Sequence, residues 1–367
     1  MSVRGKLIGA AAGAAGAAVA GGAAVGVAKI VSNRRLAHRP SAGDEVALGS
    51  LHSEPITVLT DDGVPLHAEI DDYEEPRQGG RKRRTPLAER PPFTVVFVHG
   101  YCLDLDCWHF QRAAYRGLVR AVYYDHRSHG RSGRSDKEHE TVDQLGRDLK
   151  RVLEDLTGDD PVVLVGHSMG GMTIMALAEQ FPELFGEKVI GVGLISTTAG
   201  GLDPGRILFP MLPAGIGAGV MGRTVRTLRL GHRAVDQVRR FGRDIALTMT
   251  DLYAFGSREV PADYLRFVYE ILSRTPFDVV AGFYPGFAAL DKWDVLRVFS
   301  RVPTSIICGT SDKLTSIGHS RKMHSRIHGS DLLEVEDAGH LVLVERHEEV
   351  NEELDDLLAR VFERLEA

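Results

Sequence analysis

Val162-Val163-Leu164-Val165-Gly166-His167-Ser168-Met169-Gly170-Gly171 joins an uninterrupted apolar run to a helix-forming one, Met172 to Glu179. Apolar residues bounded by glycine predict a buried strand and the later run predicts a helix, so the serine falls on a sharp turn between them. Glycines two residues before and after the serine let the turn be tight and the helix lie close to its strand. Ser168 then stands at the strand's C-terminal end with its hydroxyl raised above the sheet edge. The helix behind it begins with free N–H groups and a partial positive charge. A nucleophile can be presented there and an oxyanion held.

A serine needs a histidine as base, and the histidine needs a carboxylate to fix its tautomer and to stabilise the imidazolium. Thr304 to Cys308 reads as a buried strand that runs into Gly309-Thr310-Ser311-Asp312, which puts Asp312 on the loop past the strand's end. Leu332 to Val335 reads as another strand, followed by Glu336-Asp337-Ala338-Gly339-His340. Ser168, Asp312 and His340 therefore follow one another on successive strand-end loops, in an order known for such triads. Asp337, three residues before the histidine, is read as shaping its loop, and Asp291 and Asp294 are weaker rivals as the acid. Asp312 could instead cap a helix starting near Ser316. Phe93 to Val98 is a further apolar strand, ending in His99-Gly100-Tyr101-Cys102. The glycine lets the chain turn so that the Tyr101 N–H faces the serine, and Tyr101 and Met169 are the expected oxyanion donors. His99 and Gly100 are assigned to ordering that loop.

Together, His99-Gly100, Gly166 to Gly171, Asp312 and Gly339-His340 resemble the α/β-hydrolase fold superfamily from about Leu51 to the C-terminus. The resemblance implies a mostly parallel central sheet flanked by helices, and a serine esterase or lipase-like activity. Asp125-His126-Arg127-Ser128-His129-Gly130-Arg131-Ser132, after the strand Ala121 to Tyr124, is similar to the family's D-x-R-G-x-G-x-S turn but has Ser128 and His129 where a glycine is common. His126 and His129 are read as surface loop residues near the site mouth. Thr197 to Asp294 sits where the family inserts a helical cap. The expected division is residues 51–198 and 295–367 as core, 199–294 as cap, and 1–40 as a separate N-terminal segment. In the cap, Leu208, Phe209, Met211, Leu212, Ile216, Val220 and Met221 form an apolar stretch, and Leu265 to Phe287 form another. The low fixed charge of residues 207–221 suggests an apolar substrate group. Arg223, Arg226 and Arg229 follow at helical spacing and are read as a solvated face.

The chain has 367 residues, a formal charge of −6 and 43% hydrophobic residues, an ordinary globular composition that gives no reason to expect nucleic acid. Three cysteines, Cys102, Cys107 and Cys308, are too few and too irregular for a disulfide framework or a zinc site and are read as buried thiols. Leu7 to Ala28 is uncharged, Ala- and Gly-rich and flanked by Arg4, Lys6, Lys29, Arg34, Arg35 and Arg39. Its length suits a membrane span, and the heavier basic cluster after it favours an anchor that leaves the catalytic domain cytoplasmic. A cleaved export signal and a soluble tail are the alternatives. Glu74 to Pro92, with Arg81-Lys82-Arg83-Arg84, reads as a basic loop after an edge hairpin, Ile56 to Ile70, whose turn is Asp62-Gly63.

These residues lead to one expectation: hydrolysis of an ester or thioester of an apolar, lipid-like small molecule through an acyl-enzyme, with no metal or organic cofactor. Epoxide hydrolases and haloalkane dehalogenases require a carboxylate where Ser168 stands. Cofactor-free haloperoxidase or perhydrolase activity and carbon–carbon bond hydrolysis share the triad and remain alternatives, as does a membrane-tethered binding module.

Overall fold

Alternation along the strand Thr94–Val98 sends Val95 and Phe97 to one face of the sheet and Val96 and Val98 to the other, and all four are buried. A strand apolar on both faces needs cover on both, which is the situation of a parallel sheet between helical layers. The computed structural model describes residues 46–74, 91–202 and 243–366. Its elements run β1 (Pro55–Leu59), β2 (Pro65–Asp71), β3 (Thr94–Val98), α1 (His109–Tyr115), β4 (Arg120–Tyr124), α2 (Val142–Thr157), β5 (Val162–His167), α3 (Met169–Gln180) and β6 (Val189–Ile195). They continue with α4 (Arg243–Ala254), α5 (Ala262–Arg274), α6 (Phe277–Ala288), β7 (Thr304–Gly309), α7 (Ile317–His324), β8 (Ser330–Val335) and α8 (His347–Glu366).

The eight strands form one sheet in the order β1-β2-β4-β3-β5-β6-β7-β8, an α/β-hydrolase fold. β1, β2 and β4 pair antiparallel, and every pairing from β4 through β3 to β8 is parallel. On one face Val95, Phe97, Val163 and Val165 pack with Phe110 and Tyr115 of α1 and Leu354, Leu357 and Val361 of α8. On the other, Val96, Val98 and Leu164 pack with Leu149, Val152 and Leu153 of α2 and Ile174 and Leu177 of α3. Each such side chain contributes about 1.5–3 kcal/mol of burial. The parallel strands all point their C-terminal ends at one edge, where the loops after β3, β5, β7 and β8 meet.

The hairpin turn lies at Thr60–Val64, with Gly63 at φ +83° and the Thr60 hydroxyl accepting from the Val64 N–H. Leu265 to Phe287 form most of α5 and α6. Residues 1–45 and 75–90, including the Leu7–Ala28 segment and Arg81 to Arg84, lie outside the described residues, as do 203–242 with the Leu208 to Met221 stretch and Arg223, Arg226 and Arg229. Among the described residues no helix is long and apolar enough to cross a membrane.

Candidate active site

Ser168 has φ +52° and ψ −115°, a left-handed backbone that a non-glycine residue adopts only when its surroundings impose it. Two hydrogen bonds hold it. The Ser168 N–H donates to the Ile195 carbonyl at 2.9 Å, and its own carbonyl accepts from the Thr197 hydroxyl at 2.7 Å. A side chain at Gly170 would lie 1.9 Å from the Val98 carbonyl oxygen, so only glycine lets α3 start this close to β3. The N–H of Met169, the first residue of α3, has no acceptor within the helix.

His340 Nε2 lies 3.0 Å from Ser168 Oγ, and His340 Nδ1 lies 2.9 Å from Asp312 Oδ2. The carboxylate can only accept, so Nδ1 carries the proton and Nε2 is free to accept from the serine. Asp312 is fully shut from solvent. Burial pushes its carboxyl up, but the His340 charge and hydrogen bonds from His340, Leu314 and Thr315 outweigh that and hold it below its usual value. Ser168, His340 and Asp312 thus form one hydrogen-bonded series. Asp337 sits exposed on the same loop as His340 at φ +56°, with its N–H on the Thr310 hydroxyl. Asp291 and Asp294 are exposed. Asp312 does not cap α7, whose N-cap is Ser316.

Val98 pairs with Gly166 across β3 and β5, which brings the His99–Tyr101 loop beside the serine turn. His99 Nδ1–H donates to the Gly100 carbonyl at 2.7 Å, and Nε2 accepts from the His126 N–H at 2.9 Å. His126 Nε2–H returns a bond to the His99 carbonyl at 3.0 Å. The assignment of His126 and His129 to a surface loop is therefore corrected: both are buried, because α6 brings Phe283 over His129 while His126 packs on His99. Desolvation drives their basicity down, to about 3 for His126 and about 4 for His129, so both are neutral at ordinary pH. Ser128 takes φ +63° at the position where glycine is usual, and Asp125 ties the turn by accepting from Leu105 and Arg131 N–H groups. Arg127, wholly buried, grips Asp148 of α2 and Asp62 of the hairpin turn.

The helical insertion between β6 and β7 touches both the Tyr101 loop and the His340 loop. The Tyr101 hydroxyl donates to the Val280 carbonyl of α6, the Thr275 hydroxyl to the Cys102 carbonyl at 3.2 Å, and Arg274 pairs with Asp104 and Asp106. On the other loop the Leu341 N–H donates to the Ala254 carbonyl at 2.8 Å. The buried Glu345 carboxylate accepts from the N–H groups of Gly339, Gly256 and Ser257. Burial pushes that carboxyl up despite these donors.

Sequence reasoning gave no role to His167, Thr315 or Glu345. His167 Nε2–H donates to the His340 carbonyl at 3.0 Å, and Thr315 touches Asp312. His167 fills a variable position of the serine motif and Thr315 lies outside any motif. Met169, the residue after the serine, belongs to a buried apolar cluster that includes Met172, Val279, Phe283, Phe287 and Leu290, with Tyr101 packed against it. Among the described residues no group of three or more His, Cys, Asp or Glu side chains is placed to hold a metal ion. All three cysteines are buried thiols.

The model of the Alpha/beta hydrolase family matches residues 95–353. The 3-oxoadipate enol-lactonase 2 of Acinetobacter baylyi is 25% identical over 280 residues, 74% of this chain and 90% of that protein. Epoxide hydrolase 1 of Caenorhabditis elegans is 32% identical over 91 residues, only 24% of this chain and 22% of that protein. Among solved structures, a thermophilic esterase from Thermogutta terrifontis superposes with a TM-score of 0.64 at 20% identity, covering 84% of this chain and 100% of the esterase.

Proposed function

From the premise that this chain belongs to the alpha/beta hydrolase family, we propose that it is a serine hydrolase that cleaves a carboxylic ester or thioester with an apolar acyl group. The observation that carries this reading is the hydrogen-bonded series from Asp312 through His340 to Ser168 at the C-terminal edge of the sheet. In it, Ser168 Oγ attacks the carbonyl carbon while His340 Nε2 takes the hydroxyl proton, and Asp312 stabilises the imidazolium. The N–H groups of Met169 and Tyr101 receive the oxyanion, a contribution of about 3–4 kcal/mol per donor in enzymes of this type. His340 returns the proton to the leaving oxygen or sulfur, then activates water against the acyl-enzyme.

An apolar acyl group is favoured because Met169, one residue assigned to the oxyanion, shares an apolar cluster with Phe283 and Phe287, and the ring of Tyr101, the other, packs edge-on to both. Epoxide opening is disfavoured, short as that match is, because a serine stands at the nucleophile position. Residues 199–294 are taken as a cap over the core. Residues 7–28 are taken as an anchor with the catalytic domain on the cytoplasmic side, which fractionation of cells expressing the chain with and without residues 1–40 would test. The decisive experiment is labelling with a fluorophosphonate probe. Wild type should label and Ser168→Ala should not; absence of labelling in both would refute the hydrolase reading.

A further inference from the structure

Thr315 lies three residues past Asp312, buried to 2% exposure, where three loops of the site converge. Its hydroxyl oxygen is 2.8 Å from Asp312 Oδ2, 2.8 Å from the Ser196 carbonyl at the end of β6, and 3.2 Å from His340 Nδ1. The Asp312 carboxylate is held unevenly. Oδ1 accepts the N–H groups of Leu314 and Thr315, both on its own loop. Among the described residues Oδ2, the oxygen that faces the histidine, receives only the His340 N–H, the Thr315 hydroxyl and a Cys308 thiol 4.0 Å away, too long to orient it.

We propose that Thr315 is a positioning residue of the hydrolytic machinery: its hydroxyl pins Asp312 Oδ2 in line with His340 and takes up part of that oxygen's negative charge. The proposal rests on the serine-hydrolase reading. A carboxylate anchored through Oδ1 can still pivot about that anchor by coupled changes of its side-chain torsions, and Thr315 supplies a second fixed point at Oδ2. The hydroxyl has one proton and two acceptors at equal distance. The charged carboxylate is the stronger acceptor, so the proton lies chiefly toward Asp312, while the Ser196 carbonyl shares it as a three-centre bond. Ser196 is itself anchored by its N–H to the Ile307 carbonyl of β7, which makes that end of the tether rigid.

Removing the hydroxyl has two effects that separate it from packing. Oδ2 gains freedom, which slows the chemical step. The same oxygen, relieved of one donor, also concentrates its charge on the remaining bond to His340. Thr315→Val keeps the side chain's shape, and its kcat should fall about 10- to 100-fold with KM changed by less than about threefold. The low-field proton resonance of the His340–Asp312 hydrogen bond, recorded without substrate, should move further downfield. Thr315→Ser keeps the hydroxyl and should restore both readouts. If Thr315→Val does not fold, Thr315→Ala carries the same expectation for the resonance.

Wild-type kcat with an unmoved resonance in Thr315→Val would overturn the proposal. So would a Thr315→Ser variant as impaired as Thr315→Val, since the methyl group and not the hydroxyl would then matter. The resonance needs no turnover, so a wild type that fails to react with fluorophosphonate refutes the hydrolase reading while the resonance still decides whether Thr315 tunes the Asp312–His340 bond.

Discussion

Arg127→Met breaks the most heavily bonded arginine–carboxylate cluster among the described residues. Arg127 donates to both oxygens of Asp148 at 2.6 Å and to both oxygens of Asp62 at 2.7 and 2.9 Å. The three side chains differ in exposure: Arg127 and Asp148 are shut away at 0% and 1%, whereas Asp62 keeps 26%. Asp62 can recover water when the guanidinium is lost, and Asp148 cannot. Burial already pushes the Asp148 carboxyl up, with Arg127 as the main opposing influence, so the variant raises it further. Leaving one buried charge without its partner costs about 3–5 kcal/mol. At about 2–4 °C per kcal/mol for a domain of this size, the melting temperature should drop by roughly 6–20 °C near neutral pH.

The sign with pH follows from the raised carboxyl. An acid whose folded-state value lies above its unfolded value holds its proton more tightly in the folded protein, so the penalty is absent at low pH. It grows as pH rises above the unfolded carboxyl value and levels off beyond the raised folded one. Calorimetric melts at pH 5 and pH 8 should therefore show the larger deficit at pH 8. Arg127→Met with Asp148→Leu should recover most of the loss, because an apolar pair carries no such penalty. Equal deficits at both pH values, or a double variant no better than the single one, would refute the argument.

Gly170→Ala should cost far more activity than stability. The added carbon meets the Val98 carbonyl oxygen at 1.9 Å, forcing a shift of about 1 Å between α3 and the oxyanion loop and about a 100-fold loss of rate. Overpacking of about 1–3 kcal/mol is partly offset by about 1 kcal/mol of helix preference, and a variant with intact turnover would disprove the close approach. His129, neutral down to about 4 through desolvation, binds no proton in the folded state where the unfolded chain does, so its stability contribution is lost as pH falls from about 6.5 toward 4. Urea titrations of His129→Asn should lose less stability than wild type over that window, by up to about 1.4 kcal/mol per pH unit, and parallel curves would count against it. Burial raises the Cys107 thiol well above its usual range and the Cys308 thiol up to about 12. An aromatic disulfide reagent at pH 8 should find no fast-reacting thiol in the native protein and three after unfolding; a native burst at any of them would contradict the burial.

The parts legible in the sequence are those whose chemistry is local. A continuous apolar run can hardly be other than a buried strand, and the glycines around Ser168 follow from the approach of α3 to β3. Asp312 and His340 were readable because each lies just past a strand in a parallel sheet, so their convergence is a property of topology. His126 and His129 were misread for the opposite reason. Polar residues on a loop look solvated until one knows what covers them, and the cover, Phe283, comes from a helix more than 150 residues away. Thr315 illustrates the same limit: a single hydroxyl acquires meaning only from the oxygens that three separate loops bring to it.

The helical insertion holds the Tyr101 loop from one side, through Val280, Thr275 and Arg274, and the His340 loop from the other, through the Ala254 carbonyl and the Gly256 and Ser257 N–H groups on Glu345. With the insertion acting as the proposed cap, selectivity and turnover are mechanically linked. A laboratory exchange of this insertion with that of another hydrolase would transplant the supports of the base and the oxyanion donor together with whatever shapes the pocket. Chimeras should therefore lose rate before they gain a new substrate, and recover it through changes at the seams near Gly256 and Thr275 rather than inside the pocket.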